Sequence, residues 1–156
     1  MHINTKISDG TGILGSVDPV STGPGTVTTA WVPVANFLSF MALVATGILG
    51  ASATVDAKIQ QAQDVGGTGA KDIPGKALTQ IVKASGDGKQ ALIDFRVQDL
   101  DTNNGFGFVR VSLTVGVAAS QVAAYLLGGS ARFEPIKDAT AAPAINLGAA
   151  TVVQIV

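Results

Sequence analysis

Few residues in this chain are of types that do chemistry, and each group of them lacks a component its reaction would need. Gly66-Gly67-Thr68-Gly69-Ala70-Lys71, continuing through Gly75-Lys76, has the glycines and lysines of a phosphate loop. Such a loop cradles the anion with backbone amides and places a hydroxyl just after the lysine to hold magnesium. Here five residues instead of four separate Gly69 from Gly75, and Ala77 occupies the hydroxyl position, so a flexible loop is expected. Asp99-Leu100-Asp101-Thr102-Asn103-Asn104-Gly105 has oxygen ligands at alternate positions, as calcium loops do. Its glycine falls one place late and Arg110 stands where a bidentate glutamate would close the site, so a turn through Asn104-Gly105 is expected.

Nucleophilic chemistry is equally short of parts. The chain has no cysteine, and a serine–histidine–aspartate device would depend on His2, its only histidine. Lys89, in the five-residue hairpin loop Ser85-Gly86-Asp87-Gly88-Lys89, has no carbonyl-binding pocket implied nearby. Trp31, Phe106, Phe108, Tyr125 and Phe133 lack the interleaved basic residues of a base-stacking platform and are expected to fill core and interface. Asp94 and Arg96, with Asp56 and Lys58, are expected as cross-strand ion pairs on a wet or intersubunit surface. The sequence therefore predicts no catalytic residue, no cofactor-binding residue, no metal ligand and no enzyme activity.

Charge narrows the partners. Ten Lys and Arg balance eleven Asp and Glu for a net charge of −1, without the basic stripe that neutralises phosphates, so nucleic acid is not an expected partner. Only 13% of residues are charged and mean hydropathy is +0.41, against about 25% charged in typical soluble domains. So apolar a composition predicts burial against other subunits. Met1–Lys6 lacks the apolar core of a signal peptide, and secretion by that route is not expected.

Three segments set the architecture. Thr54–Gln61, Gln90–Gln98 and Val109–Val115 alternate apolar and polar residues, the signature of half-buried strands. Val55, Ala57 and Ile59, with Ile93, Phe95 and Val97, and with Val109, Val111, Leu113 and Val115, are expected to share one core. With these three, seven strands are predicted, at 31–34, 37–45, 53–62, 77–83, 90–98, 106–117 and 121–134. Short strands without an amphipathic helix between them indicate an antiparallel sandwich or barrel.

Trp31–Gly50 is uncharged and long enough to span a bilayer. Pro33, Asn36, Ser39, Thr46 and two glycines dilute it and no basic residue flanks it, so a central strand Phe37–Ala45 buried on both faces is expected, and no membrane partner.

Three regions follow: an extended N-terminal arm over 1–30, rich in Gly, Thr, Ser and Pro with one or two short strands; a β-sandwich over 31–136; and a C-terminal tail over 137–156. The tail has no charge after Asp138 and ends in the β-branched Thr151–Val156, which as a free strand is an aggregation hazard. Pairing with a neighbouring subunit, or back onto its own sheet, removes that hazard.

Ala53-Thr54-Val55-Asp56-Ala57-Lys58-Ile59-Gln60-Gln61-Ala62, followed by Gly67-Thr68-Gly69-Ala70-Lys71-Asp72-Ile73, resembles small virion structural proteins of tailed bacteriophages. The likeness continues through Ala91–Arg96, through Leu100-Asp101 to Asn104-Gly105-Phe106 and through Val109–Gly116, and covers roughly residues 50–135. It implies a jelly-roll-like β-sandwich located in the virion, made in the host cytoplasm and placed on the capsid surface as a decoration or cement protein. Its implied partners are the major capsid protein and itself, as a homotrimer or other closed oligomer. A neck or tail connector component and a glycan-binding head appendage are the alternatives. A depolymerising appendage requires two carboxylates converging in a groove, and no pair can be placed there from sequence.

Overall fold

The computed structural model describes residues 6–138, 145–146 and 148–152. Ten strands form two antiparallel sheets: β1 (Gly12–Thr22), β2 (Gly25–Thr28), β3 (Val32–Pro33), β4 (Phe37–Thr46), β5 (Thr54–Ala62), β6 (Lys71–Ala77), β7 (Ile81–Val82), β8 (Gln90–Arg96), β9 (Phe108–Gly116) and β10 (Ser120–Ala131). A two-residue pair, β11 (Lys137–Asp138) with β12 (Ile145–Asn146), lies apart from them. Single helical turns occur at α1 (Ile7–Gly10) and α2 (Lys83–Gly86).

Sheet A has the order β1-β10-β4-β8, and sheet B the order β2-β9-β5-β6, with β3 also on β9 and β7 also on β5. With β2–β3 and β6–β7 each taken as one interrupted strand, the chain changes sheet at every step except from β5 to β6–β7, which pair as neighbours within sheet B. Eight strand positions wound this way, in these two orders, make a jelly roll.

The core lies between the sheets. Phe40, Ala42, Val44, Ile93, Phe95, Val122, Ala124 and Leu126 face it from sheet A, and Val55, Ala57, Ile59, Val109, Val111, Leu113 and Val115 from sheet B. The expected core set is thus buried, except that Val97 is only partly so. β8 ends at Arg96, and Val97 begins a 3-10 turn closed by Asp99, whose carboxylate accepts the Arg96 N–H.

Several boundaries differ from the sequence reading. Within the stretch expected as an arm, β1 pairs along β10 and β2 along β9, inside the two sheets. The predicted strand 77–83 divides into the end of β6, the short β7 and the start of α2; Lys71–Ala77 is the main strand there, although Pro74-Gly75 reads as a turn. The hairpin loop from Ser85 therefore begins inside a helical turn. The last strand of the sandwich stops at Ala131, and Phe133 beyond it is exposed and takes no place in the core. β4 is buried on one face only: Leu38 is 50% exposed, and Met41, Leu43 and Ala45 are half-covered. Among the described residues no helix is long and apolar enough to cross a membrane.

Ile136, the last residue of the expected sandwich, is buried with its N–H donating to Asp9 O, and in the tail the Ala149 N–H donates to Ile13 O. The expected terminal strand Thr151–Val156 falls mostly outside the described residues.

Candidate interaction surface

The two loops that resemble ligand sites are filled by the protein's own side chains. Asp64 Oδ1 accepts the N–H groups of Gly66 (2.9 Å) and Thr68 (3.0 Å), and Thr68 Oγ1 donates to Asp64 Oδ2 (2.6 Å). Amides that would cradle a phosphate hold this carboxylate instead. The Thr68 hydroxyl first, then its amide, keep the Asp64 carboxyl below its usual range. Gly67, with φ +87°, lies so close to Trp31 that a Cβ would sit 2.6 Å from its Nε1.

The calcium-like loop is likewise occupied. Asp101 pairs with Lys71 (2.6 Å) and accepts from Asn104 Nδ2, while Asp99 accepts the Arg96 N–H and pairs with Lys76 (3.2 Å). Lys71 also lies 4.1 Å from the centroid of the Phe106 ring. Gly105, at φ +79°, makes the expected turn. Both carboxyls are held below the usual range, Asp101 chiefly by Lys71 and Asp99 chiefly by the Arg96 amide. Among the described residues no three metal-ligating side chains converge.

The outer face of sheet B is polar and internally matched. Lys58 pairs with Asp72 (2.8 Å), which also accepts from Gln60 (2.9 Å). Arg110 donates from Nε and Nη2 to Gln60 Oε1, and its guanidinium lies 4.4 Å from the Trp31 ring centroid. Gln80 donates to Asp56, and the Thr26 and Thr114 hydroxyls are joined across β2 and β9. The expected pairing of Asp56 and Lys58 with Asp94 and Arg96 does not form, because β5 and β8 belong to different sheets. Sequence reasoning missed Asp72 and Asp64. An Asp-x-Gly-x-Thr run is a local signal for the latter, whereas the β5–β6 register that places Asp72 has none.

The outer face of sheet A is the opposite. Register places Ser16, Tyr125, Leu43 and Leu92 in one row across four strands, and Ile13, Leu127, Met41 and Asp94 in the next. In a third row the half-buried Ala45 lies beside Gln90, with the buried Ala123 on its other side. Leu92 is 54% and Ile13 37% exposed, and Tyr125, Leu127, Met41 and Leu43 are half-buried. With strands ~4.8 Å apart and ~3.4 Å per residue, these rows cover roughly 14 Å by 14 Å. This connected apolar face on one sheet, opposite a charged and paired face on the other, is the candidate interaction surface. Beside β8, a shallow polar groove is lined by Ser39, Lys76, Asp94, Arg96, Gln98 and Asp99.

No family model matches the chain, and no curated protein matches it. Among solved structures it is similar to a chain of the infectious bursal disease virus VP2 subviral particle, at 12% identity and TM-score 0.46 over 77% of this chain and 32% of that one. It is also similar to a chain of the cowpea mosaic virus empty virus-like particle, at 10% identity and TM-score 0.43 over 85% of this chain and 88% of that one. The SPBc2 prophage-derived protein YomS is similar at 10% identity and TM-score 0.38, over 72% of this chain and 91% of that one. The chain spans about a third of the length of the bursal disease virus chains it matches. At these values the likenesses carry no argument about function, and the jelly roll stands on strand order alone.

Proposed function

We propose that this protein is a non-enzymatic structural component of a virus particle, a capsid decoration or cement protein that bridges major capsid subunits on the head of a tailed phage. The observation that carries this reading is the asymmetry of the sandwich. Sheet B satisfies its own polar groups, while sheet A presents connected apolar side chains to solvent. The sequence resemblance over roughly 50–135 points the same way.

Magnitude favours bridging over a single contact. A face of roughly 200 Å² covered at about 25 cal/mol/Å² gives about 5 kcal/mol. Association alone costs about 4–15 kcal/mol in lost freedom. One such face therefore holds weakly, and attachment gains strength when several copies or several contacts engage one shell together.

The test is cryo-electron microscopy, with quantitative mass spectrometry, of particles produced from a genome that encodes the chain. Copies distributed over the shell at symmetry axes, with sheet A toward capsid subunits, support a cement role. A ring of six or twelve at one vertex assigns a neck or tail station instead. Absence from purified particles rejects the proposal.

A further inference from the structure

Four strand edges bound the two sheets, and three are guarded among the described residues. β1 is broken by register shifts at Ile13/Gly15 and Val17/Val20, contains Pro19, and receives the Ala149 N–H on Ile13 O. In sheet B one edge is the short β2 and β3, and the other is β6 with Pro74 followed by the two-residue β7. Bulges, proline and shortness are how sheets avoid pairing with neighbours. β8 runs unbroken from Gln90 to Arg96 and, among the described residues, has a partner strand on one side only.

The ladder fixes which groups face outward. The Thr46 N–H donates to Lys89 O, so Ala91, Ile93 and Phe95 exchange hydrogen bonds with β4. Gln90, Leu92, Asp94 and Arg96 then turn their N–H and C=O away from the sheet. Two of these groups are engaged: Lys76 Nζ donates to Asp94 O (2.9 Å), and the Arg96 N–H donates to Asp99 Oδ2 (2.9 Å). The outward groups of Gln90 and Leu92, and the Asp94 N–H, have no partner among the described residues. The open stretch is centred on Leu92.

We propose that this edge binds the β8 edge of a second copy, antiparallel, about a two-fold axis at Leu92. Symmetry then sets Leu92 opposite its own copy and Gln90 opposite Asp94 of the second copy, so open groups meet open groups. Each of these three hydrogen-bonded pairs exchanges two bonds, about six in all. Asp94 O keeps Lys76, since a carbonyl has two lone pairs. An amide faces each Asp94 carboxylate and no like charges are opposed. The apolar row Tyr125–Leu43–Leu92 becomes continuous across the seam into its copy. The second copy fits better than the chain's own tail, because Ala149 is bound at the far edge of sheet A, on β1. The inference stands on edge geometry and is independent of the virion reading.

Sedimentation velocity of the whole protein over a concentration series tests it, with Leu92→Pro and Leu92→Lys as variants. Proline removes the outward Leu92 N–H and no bond to β4; lysine opposes two like charges at the axis. The wild type is expected to pass from monomer to dimer as concentration rises, and both variants to remain monomeric. If Leu92→Pro unfolds, Leu92→Lys decides. Because the chain lacks cysteine, Leu92→Cys gives a second readout. A hydrogen-bonded pair sets its Cα atoms ≈ 5.5 Å apart, within disulfide range, so mild oxidation should yield a covalent dimer. Val65→Cys, at an exposed loop position, should not. A wild type monomeric throughout, variants that dimerise like wild type, or equal cross-linking at Val65 overturns the proposal.

Discussion

Phe40 of β4 and Phe95 of β8 are direct cross-strand partners whose rings stack with centroids 5.1 Å apart and planes 12° from parallel. Phe95 is 2% exposed and Phe40 packs edge-on against Phe37 as well. Truncating Phe95→Ala removes the stack and leaves a cavity between the sheets. Equilibrium urea unfolding should show a loss of about 3–5 kcal/mol. A loss under about 1 kcal/mol would mean that the site collapses around the missing ring.

Gly128 tests the close approach of β10 to the core wall. A Cβ there would lie 2.7 Å from Phe37 Cγ and 2.8 Å from Leu14 Cδ1, both inside the sandwich. Gly128→Ala is expected to destabilise by about 1–3 kcal/mol through overpacking. Gly107→Ala, where a Cβ meets nothing within 4 Å, is the matched control. Thermal unfolding of the pair separates the packing effect from glycine entropy.

Acid should loosen the loops that resemble ligand sites. The carboxyls of Asp64, Asp72, Asp87, Asp99 and Asp101 are all held below their usual value. Their chief causes are the hydroxyl of Thr68, the ammonium groups of Lys58 and Lys83, the Arg96 amide and the ammonium of Lys71, respectively. A carboxyl whose pKa is lower folded than unfolded contributes stability above its unfolded value. That contribution is lost as pH falls through the folded one. Stability should therefore be level above about pH 5 and decline below about pH 4. Asp64→Asn should flatten part of that decline, measured as the unfolding midpoint against pH.

Introducing charge into the outer face of sheet A separates folding from attachment. Leu43 is half-covered there, and a lysine stem can lie along the sheet with its ammonium in water. Leu43→Lys is expected to change stability by less than about 1 kcal/mol and to abolish incorporation into particles. Normal incorporation would move the docking surface off sheet A.

The strands legible in the sequence are those with one dry face and one wet face. Val55-Asp56-Ala57-Lys58-Ile59 announces β5, and Ile93-Asp94-Phe95 announces β8, because alternate residues meet different media. β1 was harder to place. Its two register shifts and Pro19 interrupt the alternation, and its partner β10 lies at the other end of the chain. The open apolar face of sheet A was hidden for the opposite reason. Met41, Leu43 and Ala45 are as apolar as the core residues between them, so composition indicates burial on both faces where the sandwich covers only one. Which polar residues meet, Lys58 with Asp72 or Asp64 with Thr68, depends on register and loop closure. Neither is written in the spacing of one strand.

The pairing of β1 with β10 also sets an order of events during synthesis. Gly12 is held opposite Gly128 and Val17 opposite Ala124, so the first strand of the sandwich waits for its last. Until then β4 can pair with β8 but its edge toward β10 stays open. Contacts this distant along the chain put closure in the slow class of folding reactions. The sheet therefore closes only after β10 has emerged, and the nascent chain is most exposed to aggregation or chaperone capture while β10 is still inside the exit tunnel.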